Sequence, residues 1–192
     1  MAFFTRNRVI FIALAAVMLT TRLHHSDVLP DASWAVLFLG GFYLRSSLAF
    51  SALMVEAVAI DYVATQNLVF SSYCLSPAYV MLLPAYAALW FGGACAQRLW
   101  RDARPIGIFT LSSILLVSIS LCFLITNGSF YWLSGRVPSP NVADWFVNFR
   151  RWYPHFVLVP CAYVSLAIAA QVIGLGLRRG MPAVRSLERQ HQ

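Results

Sequence analysis

The sequence predicts an all-α fold: an integral membrane bundle of six transmembrane helices in one domain over residues 1–192, with both termini cytoplasmic. Three observations point that way. Hydrophobic residues make up 60% of the chain and charged residues only 11%, far from the ~25% charged composition of soluble domains. Three runs, 75–96, 105–126 and 156–177, are each 22 residues without a formal charge, against the ~20 that a bilayer requires. The arginines, finally, gather at the ends of apolar runs, as the positive-inside rule expects.

Helix one is the shorter apolar run Val9 to Thr21, flanked by Arg8 and Arg22, whose side chains are expected to snorkel to the headgroups. Its arginine-led start resembles a signal peptide, but "TTRLHH" offers no small-residue cleavage site, so it is retained as a helix. The stretch from Ala32 to Phe70 has 39 residues, roughly 58 Å as one helix and about twice the hydrocarbon thickness. It must fold back. Its one polar break is Arg45-Ser46-Ser47, which sets helix two at 32–44 and helix three at 47–68. The three uncharged runs supply helices four to six.

Charge distribution supports the even count. With the N-terminus inside, Arg6, Arg8, Arg45, Arg98, Arg101, Arg104, Arg178, Arg179, Arg185 and Arg189 are cytoplasmic. Only Arg22, Arg136, Arg150 and Arg151 fall outside. The net charge of +7 is therefore topological, and with no basic stripe to track phosphates, nucleic acid is excluded as a partner. The partner it implies is the lipid bilayer, as a multi-pass protein of the bacterial inner membrane. No segment is long enough for a separate soluble catalytic or nucleotide-binding domain.

This topology puts three connections outside: Arg22 to Asp31, Phe70 to Ser76, and Asn127 to Pro154. The second, "SSYCLSPAY", carries Tyr73 and Cys74 just ahead of Ser76-Pro77, a helix N-cap followed by proline at the first helical position. The helix dipole there favours a thiolate, a soft ligand for a transition metal. The alternative is an inert thiol, the reading that suits Cys95, Cys122 and Cys161 within their apolar helices. A disulfide from Cys74 to Cys122 or Cys161 stays open, and no CxxC pair is present.

Asp61 and Glu56 are the acids within a span, and such groups are functional suspects. Asp61 falls in the outer third of helix three, within reach of a ligand under the outer loops. Glu56 falls near mid-membrane about 140° away around the helix and reads as a structural group. Tyr79 lies about one turn into helix four. His24 and His25, with Asp27 and Asp31, form a polar cluster in the first loop. The third connection carries Trp132, Trp145 and Trp152 with Arg136, Arg150 and Arg151; it reads as a lid, since a connection of that length is more than a linker needs.

Six short helices, an outward site built from three outer loops, and "SSYCLSPAY" leading into helix four resemble the S-components of energy-coupling-factor (ECF) vitamin transporters. The nearest type is the solitary, cobalamin-specific BtuM group. The resemblance implies that Cys74 ligates the cobalt of bound cobalamin (vitamin B12), or of its precursor cobinamide, with the nucleotide base displaced. It also implies decyanation of cyanocobalamin as a possible activity of Cys74 beside transport. Tyr73, Tyr79, Asp61, His24, His25, Trp145 and Arg150 are the expected pocket residues. An ECF transmembrane and ATPase module is the partner the family brings with it, but the Ala-x-x-x-Ala docking pattern is absent from "FIALAAVMLTT" in helix one. Two other functions fit the residues: a cobalt or nickel permease or sensor using His24, His25, Asp27, Asp31 and Asp61, and a membrane thiol oxidoreductase using Cys74. The first would survive loss of Cys74, and the second lacks a nearby resolving cysteine.

Overall fold

The computed structural model describes residues 2–23, 30–67, 77–102 and 108–190, and every regular element among them is helical. The elements are α1 (Ala2–Leu23), α2 (Ser33–Tyr43), α3 (Ser47–Asn67), α4 (Leu82–Asp102), α5 (Ile108–Leu133) and α6 (Val142–Gln190). A 3-10 turn over Pro77–Met81 leads into α4. Pro84 falls in the first turn of α4, where its missing N–H costs no intrahelical bond.

Among the described residues, four stretches are long and apolar enough to cross a membrane: Ser47–Thr65, Pro77–Trp100, Phe109–Leu133 and Val142–Gly174. They expose large apolar side chains such as Phe109, Phe91, Val55 and Leu158, a distribution suited to lipid rather than water. Helix α1 has the length of a span but carries Arg6, Arg8 and Arg22. Helix α2, with 11 residues, measures only about 16 Å.

That short helix is the centre of the bundle. It packs on α1, α3, α4 and α6, and Ser33 to Phe38 with Gly40 and Gly41 are all buried. The chain turns from α2 into α3 through Arg45, which adopts a left-handed φ of 52°. The closest crossing is α2 on α4, where "LGGF" meets "FGGA". A Cβ on Gly41 would overlap the Trp90 carbonyl, and one on Gly93 would overlap the Phe38 carbonyl. Glycine at these positions lets the two backbones touch, as small residues do in membrane helix pairs. Gly92 likewise admits the Ser118 hydroxyl of α5.

The boundaries of helices two and three agree with those expected from the Arg45-Ser46-Ser47 break. The third connection does not. Helix α5 continues to Leu133 and α6 already begins at Val142, so the expected lid over 127–154 is reduced to a short turn. The reason is a reciprocal cap: Asn141 Oδ1 accepts the Asp144 N–H at 2.9 Å, and the Asp144 carboxylate accepts the Asn141 side-chain amide at 2.6 Å. Asn141 is thus the N-cap of α6, and its own backbone N–H donates to Tyr131 OH of α5 at 3.3 Å. Gly135, at φ 69°, makes the turn after α5. Helix α6 also starts earlier than the expected 156 and runs on through Pro154 and Pro160.

Candidate functional site

Arg22, in the last turn of α1, is 7% exposed and lies inside the bundle rather than reaching out from its end. Its Nε donates to Asp61 Oδ1 and its Nη2 to Asp61 Oδ2, each at 2.6 Å, a bidentate pair between α1 and α3. Nη1 donates to Ser33 Oγ at 2.9 Å, to Tyr86 OH at 3.1 Å and to Asp31 Oδ2 at 3.3 Å. One guanidinium thus ties together the ends of four helices. Its planar fork matches a carboxylate in a way that an ammonium does not.

The surrounding groups are ordered by the same network. Asp31 accepts from the Ser33 backbone N–H at 2.9 Å and from its hydroxyl at 2.6 Å, which fixes the start of α2. Thr21 Oγ1 accepts the Ala32 N–H at 3.2 Å. Tyr79, from the 3-10 turn, donates its hydroxyl to Asp61 Oδ2 at 2.8 Å. Asp61 is therefore occupied on both oxygens, and Asp31, 38% exposed at its side chain, is the carboxylate that faces outward. Formally, Arg22, Asp31 and Asp61 together carry one net negative charge.

Replacing Tyr79 by phenylalanine removes one hydrogen bond to a charged acceptor while keeping the ring. We expect a loss of about 1–3 kcal/mol in chemical unfolding of the detergent-solubilised protein.

Beside the network is an aromatic cluster. Phe123 of α5 meets Phe149, Phe156 and Tyr153 of α6 with ring centroids 5.0, 5.2 and 5.6 Å apart, and Trp34 lies 5.1 Å from Phe156. Trp145 extends this cluster through Phe149, at 5.5 Å. Its indole N–H is buried and finds no acceptor among the described residues. Tyr163 donates to the Pro30 carbonyl at 2.9 Å and holds α6 to the chain ahead of α2.

Of the expected site residues, Asp61 and Tyr79 are brought into direct contact. Trp145 is placed at the same end of the bundle, in the first turn of α6, and Arg150 is exposed one turn further on. Cys74, Tyr73, His24, His25 and Asp27 lie outside the described residues. Cys122 and Cys161 are free thiols. Among the described residues, no group of three His, Cys, Asp or Glu side chains is arranged to hold a metal ion.

Arg22, Ser33 and Tyr86 were not expected here. The signal available for Arg22 was the combination of a span-edge arginine with an intramembrane aspartate two helices later, which needs a partner within the bilayer. No protein-family model matches the chain, and no curated protein matches it significantly.

Proposed function

We propose that the protein binds cobalamin at the Arg22 end of the bundle and takes part in its uptake across a bacterial inner membrane, with the Cys74 thiolate as a ligand to the corrin cobalt. The observation that carries this reading is the network joining Arg22, Asp61, Asp31, Ser33, Tyr79 and Tyr86. It joins Asp61 of α3 to Tyr79 of the turn that leads into α4, and the segment between them in sequence contains Cys74. A preorganised support of this kind favours a ligand-bearing connection over a simple linker. In this topology the chain crosses six times, with α2 as a short buried segment enclosed by α1, α3, α4 and α6, both termini are cytoplasmic and the Arg22 end faces out.

The surplus negative charge of the network suits the positive charge of a cobalt(III) corrin. The aromatic cluster of Trp34, Phe123, Phe149 and Trp145 offers apolar surface for a large flat macrocycle. A Cys74 thiolate at cobalt would also favour release of cyanide as the anion, with cobalt remaining cobalt(III), and so assist decyanation. The divalent-cation reading is less well supported. It needs Asp31 and Asp61 as ligands, and Arg22 already engages both carboxylates.

The test is the visible spectrum of protein purified from cells supplied with cyanocobalamin. A corrin spectrum displaced from that of the free vitamin, and lost or restored to the free form in Cys74→Ala, is the expected result. A folded parent that retains no corrin would refute the assignment.

A further inference from the structure

At the opposite end of the bundle from Arg22 lies a cavity of about 560 Å³, lined by Arg6 and Ile10 of α1, Tyr43 of α2, Gln97 and Trp100 of α4, and Gln171 of α6, with Gly174 at its edge. Its volume falls within the range of small-ligand sites, roughly 300–1,000 Å³. Its lining is mostly apolar, with a few polar groups set into it. The Gln171 carbonyl accepts the Tyr43 hydroxyl at 2.6 Å, and the Gln97 carbonyl accepts Arg45 Nη1 at 2.7 Å. Because arginine only donates, the orientation of the Gln97 amide is determined by that bond. Gln97 has therefore spent its acceptor on Arg45 and keeps its –NH₂ donors, whereas the Tyr43 hydroxyl fixes the place of the Gln171 amide. The polar groups of the lining come from Arg6, Tyr43, Gln97, Trp100 and Gln171, and none of the described lining residues is acidic.

We propose that this cavity binds the phosphodiester headgroup of an anionic phospholipid. A phosphodiester is a compact acceptor with one negative charge, which matches a guanidinium beside the Gln97 amide donor, and the apolar remainder of the lining suits its glycerol and first acyl carbons. The location fits a lipid better than a free anion. Arg6 and Arg22 are 16 residues apart on one helix, roughly 24 Å, so the cavity lies at the far headgroup level of a bilayer that these helices span. Exposed apolar side chains flank it on both sides: Val9 and Ile12 on α1, Val172 and Ile173 on α6. Acyl chains leaving the headgroup have these faces to run along. Trp100, 53% exposed at the rim, is the residue type that favours such an interface.

The proposal is independent of cobalamin binding, and its test uses no corrin. Delipidated full-length protein in detergent is titrated separately with phosphatidylglycerol, phosphatidylcholine and inorganic phosphate, and adducts are counted by native mass spectrometry. The informative variants are Gln97→Glu and Gln171→Glu. Each keeps the acceptor that Arg45 or Tyr43 uses but replaces the donor face with a carboxylate, so the packing is preserved while the phosphate is repelled. We expect phosphatidylglycerol to be retained at least roughly fivefold better than phosphatidylcholine, and each variant to lose at least roughly fivefold of that retention. Arg136→Gln, an exposed arginine at the other end, removes the same unit of charge and should leave retention unchanged. Equal retention of the two lipids, or unchanged retention in both glutamate variants with native thermal unfolding, would overturn the proposal. Displacement of phosphatidylglycerol by millimolar inorganic phosphate would overturn the lipid assignment in favour of a free anion.

Discussion

Arg22→Ala is expected to destabilise the protein by about 3–5 kcal/mol, since it strands the Asp61 carboxylate inside the bundle without its counter-charge. The measurement is chemical unfolding of the detergent-solubilised protein, compared with Asp61→Asn and the double variant. Asp61→Asn should cost less than Arg22→Ala, because a neutral amide tolerates burial while Arg22 keeps Asp31, Ser33 and Tyr86 as acceptors. Combining Arg22→Met with Asp61→Leu should recover much of the loss, since apolar replacement of a buried pair is often close to neutral. Arg22→Lys should fail to restore stability fully, as an ammonium cannot fill the bidentate geometry at 2.6 Å on both oxygens. If Arg22→Ala unfolds at the parental midpoint, the pair is not holding α1 to α3.

Gly93→Val is expected to prevent assembly of the folded bundle. The added side chain meets the Phe38 carbonyl and the Phe42 backbone nitrogen, which are main-chain atoms of the central helix and cannot rotate aside as a side chain would. Separating α2 from α4 would also part the interface through which α2 reaches the rest of the core. Size-exclusion chromatography after purification reads the outcome as aggregate in place of a monodisperse peak. Gly128→Val is the control, because a Cβ there meets nothing within 4 Å. A monodisperse, normally stable Gly93→Val would show that the helices can separate without loss of the fold.

Much of this architecture was legible in the chain itself, and the misreadings have local causes. Arg45 flanked by serines marked the return between α2 and α3, because few other polar residues interrupt that stretch. Asp61 stood out as an acid within a span, and Tyr79, one turn into helix four, was expected to line the same pocket, though not to bond Asp61 directly. Arg22 was misjudged because a terminal arginine on an apolar run ordinarily reaches water, and its partner is 39 positions away. The glycine pairs at 40–41 and 92–93 carried a packing signal that hydropathy does not register, since it lies in missing volume. The segment 127–154 was misread for a different reason. Its length, with three tryptophans and three arginines, suggested a lid, yet most of it is helical, with Tyr131 buried in α5 and the Asn141–Asp144 cap starting α6. The length was that of two helix ends, not of a loop.

The pairing of Arg22 with Asp61 also orders events during synthesis. Arg22 leaves the ribosome 39 residues before its partner, an interval of roughly 2–8 s at ordinary elongation rates. Asp31, nine residues on, is the first carboxylate of the network to follow it. The bidentate partner comes only with α3, and Tyr79 and Tyr86 come after that. The polar network is thus complete only once the chain has been made as far as α4.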